Sequence, residues 1–327
     1  MNKPPHRPPI PPLLALAFAI LSVSTASIFI RYAQVYAASL VIAAYRLTLA
    51  SLLLAPIALV RYRAELLALK RGELRLALIS GLFLAIHFAT WITSLEYTTV
   101  ASSVVLVTTT PLWVAILSPF TIKEPLRFLV KIGMVMALIG GIIVGVSDSC
   151  DWGRGGLDCP VFSEFIRGKA FLGDLLALAG AFMGAGYILI GRRLRRDMSL
   201  VSYIFLVYGM GAGVLLVIVM AARYPLFSYP IPAYIWFVLV ALVPQLLGHS
   251  TFNWALRYVS AAYVSISLLG EPVGSTILAY FLLQEIPTPL KIFGAILILT
   301  GIYVASRSER RLWPYVRGSN PGSSWRK

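Results

Sequence analysis

The sequence predicts an all-α integral membrane protein with ten transmembrane helices in two inverted five-helix repeats. Three observations support this fold class: the apolar composition, the regular succession of apolar segments and an internal repeat. Of the 327 residues, 59% are hydrophobic and the mean hydropathy is +0.83. Soluble domains are roughly 45–50% apolar. The composition therefore excludes a soluble globule with a single core.

Ten apolar segments follow one another along the chain. Each is long enough to cross a hydrocarbon layer of about 30 Å. They are too long and too uniformly apolar for the alternating strands of a membrane barrel, and a helix satisfies its own backbone groups in lipid. The predicted spans are residues 13–30, 39–60, 74–95, 101–120, 128–146, 170–190, 202–221, 233–256, 262–282 and 290–306.

The distribution of basic residues predicts the orientation in the membrane. A net charge of +15 would suit nucleic acid, but the charges alternate with the spans. With a cytoplasmic N-terminus, the inner side holds the basic clusters at residues 61–75 and 192–196, which we interpret as solvated loops. The outer side holds only Arg31, Arg154, Arg167, Lys169, Arg223 and Lys291. This positive-inside bias predicts a cell (plasma or inner) membrane protein with both termini cytoplasmic and with lipids, not nucleic acid, as partners.

An internal repeat divides the chain. Residues 94–146 align with residues 255–307 without a gap. The matched pairs include Pro111 with Pro272, Glu124 with Glu285, Gly133 with Gly294, and Gly140 with Gly301. The predicted regions are a Pro-rich cytoplasmic tail (1–12), a first repeat (13–146), an outer loop (147–168), a second repeat (169–306) and a basic cytoplasmic tail (307–327). Because five helices is an odd number, the second repeat enters from the opposite side, as in many secondary transporters.

Glu271 and Pro272 lie side by side in the middle of the ninth segment. A charge at this depth costs at least about 2.5 kcal/mol, and a proline removes one backbone donor from the helix. The pair predicts a protein-lined cavity, with Glu271 as a substrate- or proton-binding group. The alternative is a protonated Glu271 that hydrogen-bonds a neighbouring helix. The repeat counterpart of Glu271 is Thr110, so only one half supplies this carboxyl.

Arg46 is a basic residue within the second segment. Three interpretations of it remain open: it pairs with Glu271, it binds a substrate carboxylate, or its side chain extends along its own stem to the membrane surface.

Polar and aromatic residues form two further stripes at helical spacing. His87 and Trp91 are four residues apart in the third segment, and Gln245, His249 and Asn253 follow one another by four in the eighth. The two segments are repeat counterparts, so we expect the stripes to face each other across a central cavity and to bind substrate or protons. The alternatives are structural, hydrogen-bonded histidines and an interfacial belt of aromatic residues.

Smaller signals concern packing and redox chemistry. The spacings Gly180-x-x-x-Gly184 and Gly209-x-x-x-Gly213 favour close approach of helices. Cys150 and Cys159 share the outer loop, where their spacing and compartment permit a disulfide.

Several of these motifs carry a family resemblance. They are Ser102-Ser103-Val104-Val105-Leu106 through Pro111, Gly270-Glu271-Pro272-Val273, Glu124 and Glu285, and the paired glycines 133/140 and 294/301. Over about residues 13–306 the chain resembles the drug/metabolite transporter superfamily with its duplicated EamA domain. The resemblance implies ten helices and transport of small organic solutes, often outward. The long loop at residues 147–168 departs from the tighter connection of many members.

The function predicted from these features is secondary transport of a small organic solute such as an amino acid, metabolite or drug, by alternating access and with export favoured by the resemblance. No cofactor and no enzymatic activity are expected. An integral membrane enzyme is one alternative, although H-E-x-x-H, G-x-S-x-G and P-loop motifs are missing from the sequence. A passive channel or facilitator is the other. Monomer and homodimer are both compatible with the sequence.

The orientation can be tested with a single cysteine at position 194, in a chain whose native cysteines are replaced by serine. Because the basic cluster at residues 192–196 should be cytoplasmic, an impermeant thiol reagent added to intact cells should not label this cysteine. Labelling from outside intact cells would contradict the orientation.

Overall fold

The computed structural model describes residues 8–98, 100–123, 126–146, 151–153, 156–158, 169–284, 286 and 289–310. The first half contains α1 Pro12–Ser24, α2 Ala26–Gln34, α3 Ser39–Arg61, α4 Arg63–Leu67, α5 Arg71–Tyr97, α6 Val100–Val107, α7 Thr110–Thr121 and α8 Phe128–Val146. The second contains α9 Lys169–Leu194, α10 Leu200–Ala221, α11 Ile231–Val240, a π-helical segment Ala241–His249, α12 Ser250–Ala255, α13 Ala261–Ser267, a 3-10 turn Leu268–Gly270, α14 Glu271–Leu283 and α15 Pro289–Arg310.

The helices suit a membrane by length, composition and surface. Within the described ranges, eight helical units are long and apolar enough to cross a bilayer, and two shorter apolar stretches lie at Phe128–Gly140 and Ile292–Ala305. The outside of the bundle carries large apolar side chains: Phe120 is 82% exposed and Phe281 is 66% exposed. Apolar surface of this extent would be unfavourable in water. The protein is therefore an integral membrane protein.

Two predicted spans are interrupted at matched prolines. In the ninth segment, α13 ends at Ser267, the 3-10 turn follows, and α14 begins at Glu271 with Pro272 in its first turn. In the fourth segment, α6 ends at Val107 and α7 begins at Thr110, with Pro111 in its first turn. A proline is tolerated there because the first helical N–H groups have no partner within the helix. The break beside Glu271 that the Glu-Pro pair predicted is thus present.

The eighth span contains an irregularity that the sequence analysis did not predict. Residues Ala241–His249 form a π-helix between α11 and α12, with Pro244 inside it. Proline cannot donate a backbone hydrogen bond, and a widened turn is one way for a helix to accommodate that loss. The π-helical segment carries Gln245 and His249, so it sets their direction in the bundle.

Glycines allow α8 and α15 to pack backbone against backbone. A Cβ at Gly133 would collide with the carbonyl oxygen of Gly301, and a Cβ at Gly140 would lie 2.6 Å from the carbonyl oxygen of Gly294. The crosswise order shows that the two helices are antiparallel. These are the glycines that the internal repeat places in equivalent positions.

The other predicted glycine contacts are only partly present. Gly180 and Gly184 face α5, where a Cβ would lie 3.1 Å from Thr90 Oγ1 and from His87 Nδ1 respectively. In α10 the prediction is confirmed for Gly209, where a Cβ would lie 3.3 Å from Ser51 Oγ of α3, but it was wrong for Gly213, where nothing lies within 4 Å. Gly211 makes a further close contact, because a Cβ there would lie 2.5 Å from Cδ1 of Leu47.

The basic run at residues 192–196 is not simply a solvated loop. Arg195 is 1% exposed, and it donates hydrogen bonds to the carbonyl oxygens of Asn253 and Met198. Burial lowers its pKa to about 10, which leaves it charged at neutral pH. Arg192 donates to the carbonyl oxygen of Leu256 at 2.6 Å. The expectation was wrong for these two residues because cations stabilise the free carbonyls at the end of α12.

The loop between the two halves contains a short hairpin. Strands β1 (Asp151–Gly153) and β2 (Gly156–Asp158) pair antiparallel, with Asp151 opposite Asp158. Cys150 and Cys159, for which a disulfide was predicted, lie outside the described residues, as do Glu124 and Glu285.

The glycine contact between α8 and α15 gives a stability prediction. Gly133→Ala places a methyl group against the backbone of α15, so it should lower the free energy of unfolding by about 1–3 kcal/mol, the usual cost of overpacking. Gly213→Ala is the matched control: its Cβ has space, and it should leave stability unchanged or raise it by up to about 1 kcal/mol. Thermal unfolding of the purified proteins in detergent measures both. Equal melting temperatures for the two variants would contradict the proposed contact.

Candidate functional site

Arg46 lies on α3 in the interior of the bundle. Its side chain is 0% exposed, so the interpretation in which it reaches out to the membrane surface is wrong. Nε donates a 2.7 Å hydrogen bond to Oε1 of Gln245 in the π-helical segment. The guanidinium carbon lies 3.9 Å from the ring centroid of Phe88 and 5.8 Å from that of Trp91, a cation–π arrangement. Arg46 therefore joins α3, α5 and the π-helical segment.

His87 and His249 face each other across the centre. Their ring centroids are 6.5 Å apart. Nδ1 of His87 lies 2.8 Å from the carbonyl oxygen of Gly180, which fixes the direction of its ring. His87 also stacks on Trp91 at 6.0 Å. Both histidines are partly exposed although they lie between helices of the interior, so neighbouring side chains do not enclose either ring completely.

Asn253 lies on α12 and contacts His249. Its Nδ2 donates to the phenolic oxygen of Tyr187 and, at 2.8 Å, to the carbonyl oxygen of His249. The ring of Tyr187 is 6.5 Å from the ring of His249. Asn253 is 1% exposed and Tyr187 is 5% exposed, so α9 also contributes to the centre.

Glu271 opens α14 at the helix break and is 7% exposed. The neighbouring backbone is fixed against α1. The hydroxyl of Ser24 lies 3.5 Å from the carbonyl oxygen of Glu271, and Ser275 donates at 3.1 Å to the carbonyl oxygen of Ser24. Glu271 is within electrostatic range of Arg46. However, Oε1 of Glu271 and both terminal nitrogens of Arg46 have no hydrogen-bond partner among the described residues, so the two side chains do not form the direct pair that was one of the alternatives.

We call the group of side chains around Arg46 the central cluster. It consists of Arg46, His87, Phe88, Trp91, Tyr187, Gln245, His249 and Asn253. Several of its polar atoms lack a hydrogen-bond partner among the described residues: Nη1 and Nη2 of Arg46, Nε1 of Trp91 and Oδ1 of Asn253. Buried polar atoms are nearly always satisfied. The cluster therefore offers both donors and acceptors to a guest molecule.

The structure brings together most of the residues that the sequence pointed to. The stripe of His87 and Trp91 does face the stripe of Gln245, His249 and Asn253, through the contacts described above. Trp91 is 3% exposed, so it is not part of an interfacial belt. Oε1 of Glu271 has no hydrogen-bond partner among the described residues, and Glu271 interacts electrostatically with Arg46, which contacts both stripes.

Phe88 and Tyr187 also belong to the cluster, and sequence reasoning missed both. Phe88 lies between His87 and Trp91 in the sequence, and an apolar residue at that position gives no polar signal. Its ring makes an edge contact with His249 at 5.3 Å. Tyr187 follows a Gly-rich stretch, and a tyrosine in a membrane helix is commonly an interfacial residue.

Among the residues that the structure describes, no group of three His, Cys, Asp or Glu side chains could hold a metal ion. What the cluster provides is an arginine, two imidazoles, two amides and several rings around one space, a set suited to binding an organic molecule.

Comparison with known proteins agrees with this description. The family model described as "EamA-like transporter family" matches twice, over residues 10–146 and 171–307. Two proteins of Bacillus subtilis (strain 168) are similar. The uncharacterized transporter YyaM is 25% identical over 248 residues, 73% of this chain and 76% of that protein. The uncharacterized transporter YdfC is 24% identical over 198 residues, 60% of this chain and 59% of that protein.

A solved crystal structure has the same fold. It superposes with a TM-score of 0.70 over 92% of this chain and 98% of its own, at 20% sequence identity. The two matched segments together cover most of the sequence, and they contain the described residues of the central cluster. The chain belongs to the EamA-like transporter family and is a multi-pass membrane transporter.

Proposed function

We propose that this protein moves a small organic solute (an amino acid, metabolite or drug) across the cell membrane by alternating access, and that the central cluster is its binding site. The observation that carries the proposal is the position of the cluster between the two halves. α3 and α5 come from the first matched segment; α9, the π-helical segment and α12 come from the second. A rearrangement of one half against the other would therefore change access to the site.

Ten spans in two inverted repeats are part of the proposal, and the helix contacts support it. α5 packs on α9, and α1 packs on the π-helical segment. These two contacts are equivalent if the third span corresponds to the eighth and the first to the sixth. α3 packs on α10, and α8 packs on α15. The same correspondence exchanges the second span with the seventh and the fifth with the tenth, so each of these two contacts is its own equivalent. The α8–α15 pair is antiparallel. Inversion of one half predicts this pattern.

The orientation and boundaries follow the same scheme. We propose repeats at residues 13–146 and 169–306, joined by the outer loop 147–168, with the tails 1–12 and 307–327 in the cytoplasm of a cell with a plasma or inner membrane. The exposure of the basic side chains Arg61, Arg63 and Arg71 supports a cytoplasmic loop there. Export is the proposed direction, since the family resemblance favours outward movement.

Counterflow distinguishes this function from its alternatives. Proteoliposomes loaded with an unlabelled solute and diluted into its labelled form should accumulate label transiently above equilibrium, because an alternating-access carrier exchanges solute without net flux. A panel of radiolabelled amino acids and cationic dyes covers the proposed solute classes. A passive channel would let label equilibrate without an overshoot, and an enzyme would convert the solute. Absence of an overshoot with every solute, at verified protein incorporation, would contradict the proposal.

Glu271 is the proposed coupling group, since a buried carboxyl near Arg46 can take up a proton on one side of the membrane and release it on the other. Glu271→Gln keeps the shape and hydrogen-bonding capacity of the protonated side chain but removes its titration. The variant should fold, lose transport driven by a pH gradient and retain part of its exchange activity. Uptake into proteoliposomes with and without an imposed gradient measures this.

The matched control for this experiment is Glu96→Gln. Glu96 is exposed at the end of α5 and accepts a hydrogen bond from the backbone of Ser39. Replacing this exposed carboxyl by an amide should leave the dependence of transport on the pH gradient unchanged. If Glu271→Gln transports with the gradient dependence of the original protein, coupling through Glu271 is refuted. If the original protein shows no gradient dependence, it is a facilitator.

A further inference from the structure

The free hydrogen-bonding capacity of Arg46 is concentrated on one edge of its guanidinium. Nε is used by Gln245 at 2.7 Å, and one face lies over the ring of Phe88. Nη1 and Nη2 are buried and have no partner among the described residues. These two nitrogens carry parallel N–H groups, which form the fork that a carboxylate accepts in a bidentate geometry. The guanidinium is thus hydrogen-bonded at Nε and unpaired at its two terminal nitrogens.

We infer that the solute bound by the central cluster carries a carboxylate and that Arg46 binds it through Nη1 and Nη2. The inference rests on the proposed function and specifies the substrate class of the same site. The carboxylate would satisfy the two buried nitrogens and would bring the negative charge that an isolated guanidinium at this depth lacks.

The local charge favours a carboxylate over a doubly charged anion. In the described part of the chain, Arg46 and Arg195 are the two basic side chains that are buried, and Arg195 is committed to the carbonyl oxygens of Asn253 and Met198. Glu271 lies within electrostatic range of Arg46 and opposes any further negative charge when it is ionised. When Glu271 is protonated, the one cation balances one carboxylate, whereas a phosphate dianion would leave a negative charge uncompensated in a low-dielectric surrounding.

The aromatic side chains around Arg46 specify the rest of the solute. Trp91, His87, Phe88 and His249 form a continuous set of ring contacts with centroid distances between 4.8 and 6.5 Å. A planar apolar group packs well against such surfaces. The Nε1 atom of Trp91 is a buried donor without a partner among the described residues, and a carboxylate oxygen offers it an acceptor. The expected solute is an organic carboxylate with an aromatic or otherwise apolar body.

Three probes with the same aromatic body test the charge requirement: phenylacetate, phenylacetamide and phenethylammonium. Binding to the purified protein is measured by the shift in melting temperature and by quenching of tryptophan fluorescence. The original protein should bind phenylacetate at least about tenfold more tightly than the amide or the ammonium ion, the ratio expected for a charge-assisted pair. Equal or tighter binding of the amide or the ammonium ion would overturn the inference without any variant being needed.

Variants of the arginine then identify the group responsible. Arg46→Gln should lower phenylacetate affinity by about tenfold or more, to the level of the amide. Arg46→Lys should recover only part of it, because an ammonium lacks the fork. The matched control is Arg195→Gln, which removes an equally buried arginine at the end of α12. It should lower the melting temperature yet keep the preference for phenylacetate. The assignment to Arg46 is refuted if Arg46→Gln still prefers phenylacetate over the amide. It is also refuted if only Arg195→Gln loses this preference.

Transport of the same probes separates this inference from the proposed function. Counterflow of phenylacetate but not of phenylacetamide supports both. Counterflow of the amide or the ammonium ion at the rate of phenylacetate refutes the carboxylate requirement and leaves carrier function standing. Binding of phenylacetate that depends on Arg46, with no counterflow of any probe or of the wider panel, supports the site and refutes carrier function.

Discussion

Arg46 holds a positive charge in the interior of a bundle that is surrounded by lipid. A charge at this depth is costly, so its surroundings must be arranged to accept it. The ring of Phe88 on α5 covers one face of the guanidinium, and Gln245 accepts from Nε. Gln245 in turn reaches Arg46 from a π-helical segment, whose widened turn accommodates Pro244. Three separate spans therefore meet at one side chain, and the unpaired nitrogens of that side chain are the groups proposed to bind the solute.

The helix breaks have a related physical origin. In lipid, a backbone group without a partner costs several kcal/mol, so interruptions such as the 3-10 turn before Glu271 are tolerated only where protein surrounds them. Ser24 and Ser275 link this break to α1, and Gly270 and Gly274 lie close against side chains of α1. Next to these interrupted spans, the antiparallel helices α8 and α15 pack through their glycines. Such breaks are natural positions for a change of conformation.

Hydropathy predicted the helices well because the length of a span is set by the bilayer: residues 128–146 were predicted and observed with the same bounds. Helical spacing also predicted that His87 and His249 would meet. What the sequence could not predict depends on partners distant in the chain. The burial of Arg195 follows from carbonyl oxygens at Asn253 and Met198, and the role of Phe88 follows from the position of Arg46. The π-helical turn contains Pro244, and a helix can adjust to a proline in several ways, so the sequence does not predict which one occurs.

Access to the central cluster from both sides of the membrane is the central claim. The direct measurement uses a single cysteine at position 249, with Cys150 and Cys159 replaced by serine, in vesicles of known orientation. An impermeant thiol reagent is applied to each face in turn, with and without a saturating transported solute. The account predicts modification from both faces and slower modification from both when the solute is present. Modification at a rate that the solute does not change would contradict it.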